Sequence, residues 1–413
     1  MSGTTSAGVP DIEARFSSLW RSLSPIGRDP ATGGYLRYSF TPADLACREW
    51  FLQQARDRSL PVETDGNGNL WAWWGDRSAG DAVVTGSHLD SVPYGGAYDG
   101  PLGIVAALLA IDVLRGRGCT PARPIAVVAF AEEEGARFGV ACLGSRLLTG
   151  AMDADRARAL TDSSGIALQH AAADAGLDPA AMGADPRRVA RISSYVELHI
   201  EQGRTLGSRP VGLANGIWPH GRWRFEFRGI GNHAGTTPMD DRHDPMLTCA
   251  YAVLAANKEA RLSGAHATVG RVAVQPNATN AVAERVDAWL DARAADQSTL
   301  DYLVSRIEQR AVERAERDGT AVTVTAESVS AAVRFDAALR ERLVAVLGSE
   351  VPVIGTGAGH DAGVLQSAGV PTAMLFVRNP TGVSHSPAEH ASDRDCAAGV
   401  EALARVLEEL ACR

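Results

Sequence analysis

The sequence predicts an α/β protein, a mostly parallel sheet with helices on both faces, interrupted by an inserted α+β segment. Three observations predict it. Strand-length and helix-length apolar runs alternate through the first half. Histidines and acidic residues stand where those strands end, which is where ligands gather in parallel sheets. From about residue 214 the pattern changes to alternating strands, and after about residue 329 the first rhythm returns. The 413 residues exceed what one core commonly organises, so two domains are expected.

In chain order, Asp81 to Thr85 is a short buried strand that runs into Gly86-Ser87-His88. Leu102 to Arg115 has helical length and ends at Gly116 and Gly118. Pro124 to Ala131 is a continuous apolar strand that empties into Glu132-Glu133-Glu134. Alanine richness from Ala171 to Ala184 suggests a variable surface excursion. Tyr195 to Glu201 alternates, with Val196, Leu198 and Ile200 on one face and Tyr195, Glu197, His199 and Glu201 on the other. His199 therefore points away from the apolar side.

Next, Arg222 to Arg228 alternates as a strand, and Asp244-Pro245 offers an N-cap and first-turn proline to a helix reaching about Arg261. Thr268 to Val274 and Arg285 to Asp291 read as strands, Ser298 to Arg317 as a helix and Thr320 to Ala326 as a β-branched strand. The order β-α-β-β-α-β is the ferredoxin-like split motif. It places a second domain at 214–329 inside a first domain made of 1–213 and 330–413. The first domain resumes with a helix over Asp336 to Leu347, a strand over Pro371 to Val377 and an amphipathic helix over Arg394 to Leu410.

A formal charge of −9 argues against nucleic acid and anionic membranes as main partners. No apolar run approaches the roughly 20 residues of a membrane span. Met1 to Asp11 lacks the basic and hydrophobic regions of a secretion signal, which suggests a cytoplasmic protein. Cys47, Cys119, Cys142, Cys249, Cys396 and Cys412 show no paired spacing and read as reduced thiols. Trp71, Trp73 and Trp74 read as core or edge packing.

Five residues are candidate metal ligands: His88, Asp99, Glu134, His199 and His385. Imidazoles and carboxylates without thiolates suit zinc or manganese. With one carboxylate bridging, they could hold two ions and leave positions open for water. Taken singly, each has a plain alternative. Asp99-Gly100 reads as a turn, His88 as a cap or surface residue, and the three glutamates as a solvated acidic patch. Their conjunction favours a site, because three lie at predicted strand ends or on a polar strand face, and adjacent glutamates are also costly to keep charged without a cation. Glu132 has no assignable role and is expected to be solvent-exposed. His170, His220, His243, His266 and His390 lack ligand context and are expected at the surface.

The motifs Gly86-Ser87-His88-Leu89-Asp90, Gly96-Ala97-Tyr98-Asp99-Gly100, Glu132-Glu133-Glu134-Gly135-Ala136-Arg137-Phe138 and Glu197-Leu198-His199-Ile200-Glu201-Gln202-Gly203 belong together. With them go Asn232-His233-Ala234-Gly235-Thr236-Thr237-Pro238, Gly357-Ala358-Gly359-His360-Asp361 and Ser384-His385-Ser386-Pro387. The set resembles the dinuclear metallohydrolases of the aminoacylase and carboxypeptidase type. More closely, it resembles the branch of allantoate amidohydrolase, N-carbamoyl-L-amino-acid hydrolase and β-ureidopropionase, from about Trp50 to the carboxyl end.

The resemblance implies that His88, Asp99 and His199 bind one divalent ion, Zn or Mn, while Asp99, Glu134 and His385 bind another. It implies Glu133 as general base and Asp90 as the carboxylate orienting His88. It makes the inserted domain a lid and dimerisation domain. There His233 stabilises the oxyanion, His233 and Asn280 reach a neighbouring site across a homodimer, and Arg293 clamps a substrate carboxylate. Gln202 and His360 would complete the polar lining. Arg285 is a nearby alternative to Arg293, and Ala281 to Arg285 departs from the Pro-Gly turn common in relatives.

The implied reaction is hydrolysis of a linear amide or ureido C–N bond in a small carboxylate substrate, allantoate or an N-carbamoyl-L-amino acid. Aminopeptidase, dipeptidase or N-acyl amino-acid hydrolase action on the same scaffold is the enzymatic alternative. A non-catalytic, metal-stabilised binding protein is the other.

Overall fold

The computed structural model of the chain describes residues 12–413. The expectation about Met1 to Asp11 lies outside the described residues. The chain forms two compact units: one runs to Asn215 and resumes over Arg334–Arg413, and the other is Gly216–Val333.

The strands, in chain order, are β1 (Val62–Thr64), β2 (Leu70–Trp74), β3 (Ala82–His88), β4 (Ile125–Phe130), β5 (Ile192–Ile200) and β6 (Val211–Ile217). Then come β7 (His220–Arg228), β8 (Asn232–His233), β9 (His266–Gln275), β10 (Ala281–Val282), β11 (Arg285–Arg293) and β12 (Ala321–Ser330). The last are β13 (Val333–Arg334), β14 (Val353–Thr356) and β15 (Thr372–Val377).

In the first unit the sheet order is β1-β2-β4-β3-β5-β15-β6-β13, with β14 beside β6. Its centre, β4-β3-β5-β15, is parallel, as the sequence predicts. The flanks are antiparallel: β2 pairs β4, and β6 pairs β15. Every residue of β3, β4 and β15 is buried, as expected of central parallel strands covered on both faces. The helices Pro101–Gly116 and Asp393–Ala411 pack over one face, where Val196, Leu198 and Ile200 of β5 join the main core. The helix Pro101–Gly116 is buried almost all round, which explains its near-unbroken apolar sequence. The other face carries Tyr195, Glu197 and His199, and the helix Asp361–Ser367 packs there.

The strand that runs into Gly86-Ser87-His88 spans Ala82–His88 and delivers His88 at its carboxyl end, as expected. The alanine-rich stretch lies at the surface over most of its length, as expected, but Ala171, Ala172 and Met182 are buried with Phe138, Leu143 and Leu147 in a small second core. Alanine's short side chain lets the helix Leu168–Asp174 approach that core closely.

The second unit is a four-stranded antiparallel sheet in the order β12-β7-β11-β9, with helices Pro245–Ser263 and Gln297–Asp318. Asp244 caps the first helix through Met246 N–H, and Asp296 caps the second through Thr299 N–H. Trp223, Phe225 and Phe227 alternate inward from β7 to meet Val286, Ala288, Leu290, Leu303 and Ile307. The segment after Asn280 forms regular pairs despite its unusual sequence. Ala281 lies opposite His233, and Glu284 N–H donates to Gln275 C=O at 2.8 Å before β11 begins.

Candidate active site

The carboxyl ends of β3, β4 and β5 deliver His88, the glutamate triplet and His199 to one place, and two loops add Asp99 and His385. Asp99 is the hub. Its Oδ1 lies 3.1 Å from His199 Nε2 and 3.6 Å from His88 Nε2, while its Oδ2 lies 3.4 Å from His385 Nε2. His385 Nε2 is also 3.6 Å from Glu134 Oε2. Gly100 makes the turn at Asp99 possible. It has φ +84°, and a Cβ there would sit 2.3 Å from His88 Cε1.

The residues fit divalent ions on three counts. First, four nitrogen or oxygen ligands at ~2.1 Å in a tetrahedron stand ~3.4 Å apart, which the observed separations bracket. Second, His88 Nδ1 contacts the Asp90 carbonyl at 3.1 Å and His199 Nδ1 the Ile200 carbonyl at 2.9 Å. A carbonyl only accepts, so both Nδ1 atoms carry the proton and both Nε2 atoms face the site as bases. Third, His88 Nε2, His199 Nε2 and Glu134 Oε1 are buried without a hydrogen-bond partner among the described residues.

Electrostatics agree with a site built for cations. Burial opposes charge on His88, yet Glu133, Asp90 and Asp99 together hold its pKa well above the ordinary value. Burial likewise opposes ionisation of Asp99, but His199, His385 and His88 keep its carboxyl well below the usual range. His385 is raised to about 9, chiefly by its contact with Asp99. Burial, then the charge of Asp99, lifts Glu134 to about 7.

Glu133 is buried, and its Oε2 lies 3.6 Å from His88 Nε2. Burial pushes its carboxyl well above the ordinary value. The Cys142 thiol donates to its Oε1 at 3.3 Å. Asp90 approaches His88 Nδ1 at 3.5 Å and also accepts the N–H groups of Glu133 (3.2 Å) and Glu134 (3.0 Å). One carboxylate thus braces a histidine and the glutamate turn together.

Gln202 Nε2 donates to Asp99 Oδ2 at 2.8 Å, so it braces the hub. His360 is 3% exposed with its Nε2 unpartnered among the described residues, and its ring meets the edge of His199 at 4.5 Å. Burial and the neighbouring His199 hold its pKa well below the ordinary value, so it is neutral.

The expectation for Glu132 is wrong. It is 1% exposed, at φ +53°, and its Oε1 accepts Arg137 N–H (3.0 Å) and Phe138 N–H (2.7 Å). The left-handed backbone turns its carboxylate inward to close the loop, and burial raises its pKa to about 7. Of the five histidines expected at the surface, His170, His266 and His390 are exposed, whereas His220 and His243 are half-buried.

Sequence reasoning missed three buried carboxylates. Glu197 accepts Ser87 Oγ–H (2.8 Å) and Ala362 N–H (3.1 Å), and Asp361 accepts Ser145 Oγ–H at 2.5 Å. Glu389 accepts the N–H groups of Tyr98 and Asp99. Each stands within four residues of a histidine already singled out, which was the available signal.

On the second unit, His233 and Asn280 are neighbours: Ala234 N–H donates to Asn280 C=O at 3.0 Å. His233 is exposed, and its Nδ1 accepts Gly235 N–H at 3.0 Å. Arg293 grips Asp291 through Nε (2.8 Å) and Nη2 (3.1 Å). Arg285 is held by Asp287 and Glu226.

Among the described residues no helix is long and apolar enough to cross a membrane. The sequence matches the description "Peptidase family M20/M25/M40" over residues 84–409. It is 37% identical to N-carbamoyl-L-amino acid amidohydrolase of Geobacillus stearothermophilus, covering 95% of this chain and 98% of that one. It is 33% identical to allantoate amidohydrolase of Escherichia coli K12, covering 94% and 96%. Its fold superposes on a hydantoinase/carbamoylase-family amidase from Burkholderia multivorans with TM-score 0.85 at 29% identity, covering 97% and 98%.

Proposed function

Since this chain belongs to the peptidase family M20/M25/M40, we propose that it hydrolyses a ureido or linear amide C–N bond in a small substrate bearing an α-carboxylate. It acts on non-peptide C–N bonds, as the names of its relatives indicate for them. Allantoate and N-carbamoyl-L-amino acids are the substrate candidates.

The observation that carries the reading is the convergence of three imidazole nitrogens and Glu134 on the two oxygens of Asp99. His88, Asp99 and His199 would hold one divalent ion, and Asp99, Glu134 and His385 a second, with Zn or Mn suited to both. When bound, such ions polarise the scissile carbonyl and make water acidic enough to attack near neutral pH.

This chain's residues do the rest. Glu133 takes the proton of the attacking water and returns it to the departing nitrogen, and its burial gives the carboxylate the proton affinity that task needs. Asp90 keeps the His88 ring and the Glu133–Glu134 backbone in place. Gln202 and His360 line the site. His233 donates to the developing oxyanion, Asn280 adds a polar contact, and Arg293 exchanges Asp291 for the substrate carboxylate. The inserted unit acts as lid and dimerisation domain of a cytoplasmic homodimer, with His233 and Asn280 serving the partner's site.

A panel of allantoate, N-carbamoyl, N-acyl and dipeptide substrates, assayed for ammonia with Zn or Mn, tests the proposal. Ammonia from the ureido acids supports it. Turnover confined to dipeptides or N-acyl amino acids, with none on ureido acids, overturns it.

A further inference from the structure

Glu389 is 4% exposed and has no part in the chemistry above. It follows His385 by four residues, yet its Oε2 accepts N–H groups from Tyr98 (2.9 Å) and Asp99 (3.0 Å), 291 and 290 residues away. Its Oε1 lies 3.4 Å from Ser384 Oγ, which in turn stands 3.2 Å from Asp99 Oδ2. The fit is close, since a Cβ added at Gly96 would fall 2.3 Å from Glu389 Oε2. One buried carboxylate therefore joins the loop that carries Asp99 to the loop that carries His385.

That joint matters because Asp99 sends its oxygens in two directions. Oδ1 faces His199 and His88, and Oδ2 faces His385. His88 and His199 are anchored on strands, at the end of β3 and within β5. His385 has no such anchor: it sits in a loop at φ +55° with its side chain half-exposed. The spacing between Asp99 and His385 thus depends on what ties their loops together.

We propose that Glu389 is a positioning residue for the Asp99–Glu134–His385 ion position, setting its affinity by fixing the Asp99 backbone against the His385 loop. The inference rests on the two-ion reading above and assigns separate determinants to the two positions.

The test is metal titration of the full chain, stripped with a chelator and reloaded with Mn²⁺ or Zn²⁺, following stoichiometry and both affinities. Wild type should take two equivalents. Glu389→Ala should weaken one of them by about 10- to 100-fold, the usual loss when a residue supporting a ligand is removed, and leave the other within about 3-fold. Glu389→Gln should stay near wild type, because its amide oxygen can accept both N–H groups and its NH₂ can donate to Ser384. Gly96→Ala, which keeps Glu389 but pushes it aside, should reproduce the selective loss and serves if the Ala variant does not fold.

Two tight sites in both Glu389→Ala and Gly96→Ala overturn the proposal. Equal weakening of both sites with no rescue by Gln also overturns it, since that marks a general structural role. Fewer than two equivalents in wild type removes the two-ion reading itself, and this inference with it.

Discussion

Asp90→Ala puts the physical account of the site to a quantitative test. The carboxylate is 2% exposed and accepts two amides, the buried Glu133 N–H at 3.2 Å and the half-buried Glu134 N–H at 3.0 Å. Leaving a buried donor unsatisfied costs about 1–3 kcal/mol, and the half-buried one adds less because water can reach it, so the loss is roughly 1–5 kcal/mol of unfolding free energy. One effect opposes this. Asp90 contributes to the raised pKa values of Glu132, Glu133 and Glu134, so removing its charge relieves repulsion. In each of the three, however, burial is the leading cause, so relief is partial and a net loss is expected. Asp90→Asn separates the effects: it removes the charge but keeps one acceptor oxygen, and should lose less than Ala.

The assay is urea denaturation of the chelator-treated protein followed by circular dichroism, paired with metal titration. His88 loses a carboxylate neighbour, so metal affinity should also fall by about 10- to 100-fold. An Ala variant as stable as wild type, with unchanged metal affinity, would refute the reasoning.

Two further predictions follow from the same geometry. Arg293→Ala should raise KM for carboxylated substrates by about 10- to 150-fold, the equivalent of a charged hydrogen bond of roughly 1.5–3 kcal/mol, with kcat nearly unchanged; steady-state kinetics showing a kcat loss at constant KM would remove Arg293 as the clamp. Burial raises the Asp44 carboxyl from 3.8 to about 6, so between those values the folded protein keeps a proton that the unfolded chain has released. Its contribution is complete below 3.8 and declines as pH rises through 6; Asp44→Asn, which preserves an acceptor for Phe40 N–H, should flatten stability over that window in pH-dependent melts, and an unchanged slope would contradict the assignment.

Part of the candidate site was legible because His88, the glutamate triplet and His199 sit at or near the ends of strands, and strand ends can be read from apolar runs. His88 closes β3, and the glutamates follow β4. The two-fold alternation around His199 separated its polar face from its apolar one, although both faces proved buried. The inserted unit was legible because its four longer strands and two helices each carry their own period. What stayed hidden depends on contacts between distant residues or on single backbone angles. Glu132 looks like part of a solvated acidic run, and only its left-handed φ turns it inward. Glu389 meets Asp99 across 290 residues. The strands β1 and β2 are too short, and β2 too rich in tryptophan, to show a period, so the antiparallel flank of the sheet was not foreseen.

The most direct test of the account is Glu133→Gln, with bound metal and single-turnover hydrolysis measured on the same sample. Metal content should equal wild type and the rate should fall by about 10²- to 10⁴-fold, the usual worth of a positioned acid–base group. A variant that retains wild-type turnover would contradict that role for Glu133.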